Sequence, residues 1–257
     1  MATALITGAS GGIGFELAKV LARENLDLVL VARNLDKLED LKKQLASLNR
    51  RIDVISLDLS VPGSAAELYK KTQSLGISVD YLVNNAGFGE FGEFYQIDRQ
   101  RQSDMIHLNI TTLTELSHLY LSAMVQKKIG HIINIASTAA FQPGPRMAVY
   151  FATKAYVLSF SEALSEELCD TNVFVTAICP GPTQSGFSDA AHLGNSDLFK
   201  NKSVPTSKDV AEFTWKAIQN KQVVAVHGMT NWLLAQTNRF APRFAVRKIA
   251  KQVLKRT

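Results

Sequence analysis

Cysteine is scarce in this chain: Cys169 and Cys179 are the only two in 257 residues. Two thiols in apolar surroundings make neither a disulfide framework nor a soft-ligand metal site, and both read as buried, inert side chains. No metal centre is expected. Uninterrupted apolar runs of about 20 residues are also missing, so no segment is expected to span a bilayer. The first seven residues have neither a basic n-region nor a long apolar h-region, which argues against a secretory signal. The expected compartment is the cytoplasm. Repeats, low-complexity tracts and linkers are absent too, which favours one domain over residues 1–257.

What the chain does have is core-forming sequence. It is 46% hydrophobic and 20% charged, enough for one large domain. Apolar runs at 2–6, 26–32, 52–58, 81–83, 131–136, 173–178 and 223–226 read as strands. Between them, helical spacing predicts helices over 13–24, 35–48, 65–75, 105–127, 149–169 and 207–219. Strands alternating with helices predict an α/β fold, a doubly wound parallel sheet with helices on both faces.

The first strand and first helix are joined by Thr7-Gly8-Ala9-Ser10-Gly11-Gly12-Ile13-Gly14. Glycine allows a tight turn and close approach of backbone to a pyrophosphate. The helix amino terminus adds free N–H groups and partial positive charge. The glycines at 8, 12 and 14 follow G-x-x-x-G-x-G, not G-x-G-x-x-G. The second strand ends at Ala32-Arg33, where an acid would bind the ribose hydroxyl of NAD. Ala32 cannot do that, and Arg33 can pair with a 2′-phosphate, so NADP is the expected cofactor. Asp58 could accept a hydrogen bond from the adenine amino group, or cap the next helix.

Ser137 follows the fifth strand, and Tyr150 and Lys154 lie four residues apart in a predicted helix. That spacing puts the last two on one face. A lysine cation near a phenol favours the phenolate and lowers the tyrosine pKa, so that it can exchange a proton near neutral pH. A hydroxyl past a strand's carboxyl end lies where open α/β sheets bind ligands.

With these motifs the chain resembles the short-chain dehydrogenases/reductases of the compact type. Asn84-Asn85-Ala86-Gly87, Asn109, Ser137, Tyr150 with Lys154, and Pro180-Gly181 follow the glycine turn in the family's order. The resemblance implies a Rossmann-like, seven-stranded parallel sheet in the order 3-2-1-4-5-6-7. It implies Tyr150 as general acid, Lys154 as the group that lowers its pKa and binds the nicotinamide ribose, and Ser137 as a donor to the substrate oxygen. Asn109 would hold a water of the proton relay. The cofactor would lie along Gly8, Ser10, Gly11, Gly12, Ile13 and Gly14. It would continue past Arg33, Asp58 and Leu59, then Asn85, Ala86 and Gly87. Tyr150, Lys154, Pro180, Gly181 and Thr183 would meet its nicotinamide end. A homodimer or homotetramer, paired through the helices at 105–127 and 149–169, is also implied.

For the substrate the residues suggest an apolar cavity walled by Phe88, Phe91, Phe141, Met147, Phe187 and Leu193. Gly186 and Gly194 would let residues 183–205 act as a lid. A small carbonyl or alcohol, such as a 3-oxoacyl chain, is the expected partner. An NADP-binding regulator on the same scaffold is the alternative, and the intact Asn109, Ser137, Tyr150 and Lys154 favour the enzyme. Finally, no acid follows Glu212, and basic residues recur at 243, 247, 251 and 255 beside apolar ones. This basic extension, residues 230–257, predicts an amphipathic helix over 239–257. It could meet an anionic membrane, close over the substrate, or dock on its own domain or a twin subunit. Nucleic-acid binding is not expected, since the rest of the chain is nearly balanced in charge.

Overall fold

In a computed structural model, residues 1–187, 191 and 204–254 are described. Seven parallel strands form one sheet: β1 (Thr3–Thr7), β2 (Asp27–Ala32), β3 (Ile52–Ser56), β4 (Tyr81–Asn84), β5 (Gly130–Ile135), β6 (Val173–Cys179) and β7 (Val224–Val226). Their order is β3-β2-β1-β4-β5-β6-β7, as the resemblance implies. The helices are α1 (Gly12–Arg23), α2 (Leu35–Leu45), α3 (Ser64–Ser74), α4 (Arg99–Ile106), α5 (Leu113–Lys127), α6 (Ala148–Glu167) and α7 (Ser207–Gln219). Two more follow β7: α8 (Met229–Phe240) and α9 (Arg243–Val253).

Period-two alternation divides the strands between two cores. Ala4, Ile6, Leu28 and Leu30 pack against Leu17, Leu21, Leu38 and Leu41 of α1 and α2. Their neighbours Leu5, Val29 and Val31 pack on the other face with Leu68 of α3 and Leu116 and Met124 of α5. Both faces are covered, which is why the strands read as almost unbroken apolar runs. A buried polar relay crosses beneath the sheet. Asn84 Nδ2 donates to Ser117 Oγ at 3.1 Å and to Asn134 Oδ1 at 2.9 Å, and Asn134 Nδ2 donates to Ser161 Oγ at 2.9 Å. It fixes α5 and α6 to β4 and β5, and so sets where α6 presents Tyr150. The winding reverses between β1 and β4, which opens a crevice at their carboxyl ends.

Four expectations are corrected. The helix expected over 105–127 starts earlier, at Arg99 after the Asp98 cap, and runs through a π-helical stretch, His107–Thr112. Such stretches cluster at functional sites, and this one carries Asn109. Second, the tail is two helices. Proline lacks an N–H and forces its predecessor out of the helical region, and Ala241 is extended at φ −75°, ψ 139° before Pro242. Third, only Cys179 is buried; Cys169 is exposed in the turn after α6. Fourth, the burial of Tyr150 reverses its expected pKa shift, as described below. Lys255 and Arg256 lie outside the described residues. Among those described, no helix is long and apolar enough to cross a membrane.

His131 on β5 gives the fold an acid-labile point. Its Nε2 lies 2.8 Å from Thr176 Oγ1, whose own proton goes to Gln222 O at 2.6 Å, so Nε2 donates. Burial, aided by the Lys221 cation, pushes the imidazole down to about 4. The unfolded chain therefore binds the extra proton first as pH falls. Stability from neutral His131 is full above about 6.5 and is lost as pH drops toward 4, at roughly 1.4 kcal/mol per unit. His131→Gln keeps a donor for Thr176 and does not titrate. Urea unfolding of the variant should lose about 2 kcal/mol less than wild type between pH 7 and 4.5. Equal losses would place the acid sensitivity elsewhere.

Candidate active site

At the end of β1, Gly8 (φ +69°) and Gly12 (φ +57°) take left-handed backbone. A Cβ on Gly14 would fall 2.4 Å from Asn85 Nδ2 and 2.5 Å from Gly8 O. The turn is thus closed against Asn85-Ala86 at the end of β4. Thr7 holds the two together: its Oγ1 donates to Val83 O at 3.2 Å and accepts from the N–H groups of Asn85 (3.0 Å) and Ala86 (2.9 Å). Asn85 Nδ2 donates back to Thr7 O at 2.8 Å. No role was assigned to Thr7 from sequence, although a hydroxyl beside a glycine turn is a usable signal. Gly11 precedes α1 without a side-chain cap, so backbone N–H groups of Gly12, Ile13 and Gly14 are left for an outside acceptor. Ser10 stands beside them, half-buried. A phosphate-bearing dinucleotide fits this cradle, whose walls leave no room for a Cβ at Gly8, Gly12 or Gly14.

Arg33 follows β2 with its side chain 75% exposed and Nη1 3.9 Å from Asp58 Oδ2. Asp58 Oδ1 accepts from Ser60 N at 2.9 Å and Ser60 Oγ at 2.7 Å. Partial burial works to raise the Asp58 pKa, but the Ser60 bonds and the Arg33 cation hold it below the ordinary value. The carboxylate therefore shapes its own turn and steadies Arg33. Leu59 is buried, and its carbonyl accepts from Thr112 Oγ1 at 2.8 Å, tying this strand end to the π-helical stretch.

Tyr150 and Lys154 occupy the first turns of α6, beside Ser137. Ser137 Oγ accepts from Ala139 N at 3.1 Å and faces Pro180 O at 3.4 Å. Lys154 is buried; its Nζ donates to Ile135 O at 2.6 Å and lies 5.8 Å from the Tyr150 ring centre. Burial pushes the Lys154 ammonium down to about 8, with the nearby Cys179 acting the other way. The Tyr150 ring keeps some exposure, yet burial at its hydroxyl pushes it up to about 12, against a lowering influence from Ser137. Spacing suggests that the lysine lowers the phenol. Here burial wins, because Nζ is turned to the Ile135 carbonyl.

Asn109 is spent on its neighbours. Nδ2 donates to Phe88 O (3.0 Å) and Thr153 Oγ1 (3.1 Å), and Oδ1 accepts from Phe88 N (3.2 Å). Thr153 Oγ1 in turn donates to Tyr150 O at 2.7 Å. Gly87 permits this approach, since a Cβ there would sit 2.9 Å from Asn109 Oδ1. Across the crevice, Pro180 O accepts from Thr138 N at 2.9 Å, and Thr183 Oγ1 bonds Gly181 O at 2.9 Å. Asn231 of α8 closes on Gly181, leaving no space for a Cβ.

Tyr150 opens onto an apolar cluster of Phe91, Ala139, Met147, Phe151, Phe187 and Leu254. Met147 and Phe187, expected at the substrate wall, both belong to this cluster. Phe141 packs elsewhere, with Val157, Val224 and Val226. Phe88 carries the Arg101 guanidinium over its ring, 4.2 Å from the centre. Leu193 and Gly194 of the expected lid lie outside the described residues. Leu254 had no local signal: it arrives from the far end of the chain. Among the described residues no group of His, Cys, Asp and Glu is placed to hold a metal.

Residues 2–194 match the family model described as short chain dehydrogenase. An uncharacterized oxidoreductase of Staphylococcus saprophyticus is 32% identical over 228 residues, 88% of this chain and 95% of the relative. The ketoacyl reductase HetN of Nostoc is 30% identical, covering 85% of this chain and 76% of that protein. Among solved structures, a short-chain dehydrogenase from Sphingobium yanoikuyae in complex with NADPH superposes with a TM-score of 0.83 at 30% identity, covering 93% of this chain and 94% of that one.

Proposed function

The chain belongs to the short-chain dehydrogenase family, and on that premise we propose that it is an NADP(H)-dependent carbonyl reductase. It is an oxidoreductase of the kind that uses a nicotinamide dinucleotide. The finer reading is hydride transfer between NADP(H) and the carbonyl or secondary alcohol of a fairly apolar substrate, a 3-oxoacyl chain or another ketone. The carrying observation is the meeting of Ser137, Tyr150 and buried Lys154 at one edge of an apolar cluster. The ketoacyl reductase relative supports the substrate class. Nothing favours the regulator alternative.

The dinucleotide, when bound, supplies the hydride. Tyr150 gives its proton to the carbonyl oxygen, and Ser137 donates to the same oxygen and fixes its position. Lys154 stabilises the phenolate that Tyr150 leaves. Asn109 acts as a positioning residue through Phe88 and Thr153, and a water held here would bond to its main chain, since both Nδ2 hydrogens are engaged. Met147 and Phe187 keep bulk water from the reacting carbonyl. A screen of carbonyl compounds followed by NADPH absorbance tests the reading; turnover of none, with NADPH bound, would overturn it.

Arg33 gives the cofactor preference. Ala32 offers no carboxylate to a ribose hydroxyl, and the Arg33 guanidinium is exposed and held only loosely by Asp58. NADPH should be preferred over NADH, and Arg33→Ala should cut that preference by one to two decades, about 1.5–3 kcal/mol for a charge-assisted bond. Equal kcat/KM for both cofactors in the wild type would refute this. Pairing of two copies through α5 and α6 is also part of the reading. Tyr156 and Phe160 stack on the outer side of α6, with Tyr156 bonded to Thr114 of α5. Sedimentation velocity at micromolar concentration reads that assembly.

A further inference from the structure

We propose that α8 and α9 form a docking surface for an anionic lipid bilayer. Charge is the first observation. Of 28 basic residues nine follow Glu212, and none of the 23 acidic ones do. Residues 1–212 thus carry 19 basic against 23 acidic side chains, a net −4, and the last 45 carry +9. The whole positive excess belongs to the terminal segment.

The second observation is how the helices sit. On α8, Asn231, Ala235 and Asn238 face the domain: Ala235 is buried, Asn231 packs on Gly181, and Asn238 Nδ2 donates to Gln142 Oε1 at 3.2 Å. Met229, Leu233 and Phe240 fall on the opposite stripe, and Phe240 is 87% exposed. On α9, Val246 and Ala250, with Leu254 just beyond, form the buried row, and Arg146 Nη1 reaches Leu254 O at 3.4 Å while its Nε holds Glu93 at 2.9 Å. Helical geometry then points Phe244 and Lys248 outward, with Ile249 on one margin and Lys251 on the other. Phe244 and Ile249 are each 60% exposed. Both helices are fastened inward and still present apolar groups to the outside, which on α9 are interleaved with cations.

The partner follows from that chemistry. A second copy would set one acid-free, strongly basic face against another, and a two-fold contact pairs like with like. A bilayer with anionic headgroups takes both components. Phe240, Phe244 and Ile249 enter the headgroup boundary, and the cations meet phosphates. Leu254, just past the end of α9, belongs to the cluster around Tyr150, so the docking surface adjoins the substrate cluster and would bring an apolar ketone within reach of its source.

The test is co-sedimentation of the full-length protein with vesicles, independent of any turnover. Vesicles of phosphatidylcholine with phosphatidylglycerol should bind at least about tenfold more protein than phosphatidylcholine alone at low salt, and high salt should release it. Combined Arg247→Glu, Lys248→Glu and Lys251→Glu should reduce binding about tenfold. Phe240→Ser with Phe244→Ser should do the same, and both variants should keep wild-type NADPH affinity, which shows they are folded. No binding to anionic vesicles at low salt overturns the proposal, as does binding that neither variant weakens. So does a sedimentation velocity shift in which the Phe240→Ser, Phe244→Ser protein loses an assembly the wild type forms, because a second copy would then cover this face.

Discussion

Tyr150→Phe should lower kcat for carbonyl reduction at least a hundredfold while NADPH affinity stays within about threefold of wild type. The expected loss is about 2.7 kcal/mol or more, within the range ascribed to a positioned general acid. The substitution removes one oxygen and leaves the packing. The ring keeps Phe187 at 5.2 Å and Phe151 at 6.0 Å between centres, so no cavity opens and the Lys154 bond to Ile135 is untouched. Burial holds the wild-type phenol protonated up to about 12. At neutral pH the side chain is therefore loaded to give a proton, and reduction needs no prior ionisation. Alcohol oxidation needs the deprotonated phenol, so its rate should rise with pH where that of reduction does not. Stopped-flow and steady-state rates on one ketone and its alcohol, with cofactor titration by fluorescence, measure all of this. A variant retaining more than about a tenth of wild-type kcat, a barrier change under roughly 1.4 kcal/mol, would remove Tyr150 from the proton transfer.

The sequence carried the sheet because its information is local. Apolar runs bounded by turns mark each strand, and alternation between Ala4 or Ile6 and Leu5 follows from covering both faces. The glycine turn and the Ser137, Tyr150 and Lys154 spacing were equally local. Other features depend on distant partners. The Leu254 carbonyl meets Arg146 across 108 residues, and no pattern near either announces it. The sign of the Tyr150 shift depended on burial against one lysine, and spacing gives only the lysine. The break at Pro242 was visible as a residue but masked by the regular return of basic residues at 243, 247 and 251. The family resemblance gives Asn109 a relay water, and only the folded chain shows its amide closed on Phe88.

Gly14→Ala should abolish measurable dinucleotide binding, a loss of at least a hundredfold in affinity, and reduce stability by about 1–3 kcal/mol. The reason is contact rather than backbone angle, since Gly14 lies inside α1. The added methyl would meet Gly8 O at 2.5 Å and Asn85 Nδ2 at 2.4 Å. Neither can step aside cheaply. Gly8 is main chain, itself 3.0 Å from Ala86 Cα at the position of its own missing Cβ. The Asn85 amide is tied to Thr7 O at 2.8 Å and Gly8 O at 3.2 Å. Relief must come from pushing α1 away from the end of β1, which moves the N–H groups offered to the pyrophosphate. Gly11 is the internal control. Its backbone is extended at φ −177° and nothing lies within 4 Å of its missing Cβ. Gly11→Ala should therefore bind NADPH within about threefold of wild type and lose about 1 kcal/mol or less, the scale of a helix-cap change. Calorimetric titration with NADPH beside urea unfolding separates the two effects. Gly14→Ala protein that is folded and binds as the wild type does would mean that the turn between β1 and α1 is not where the cofactor phosphates lie.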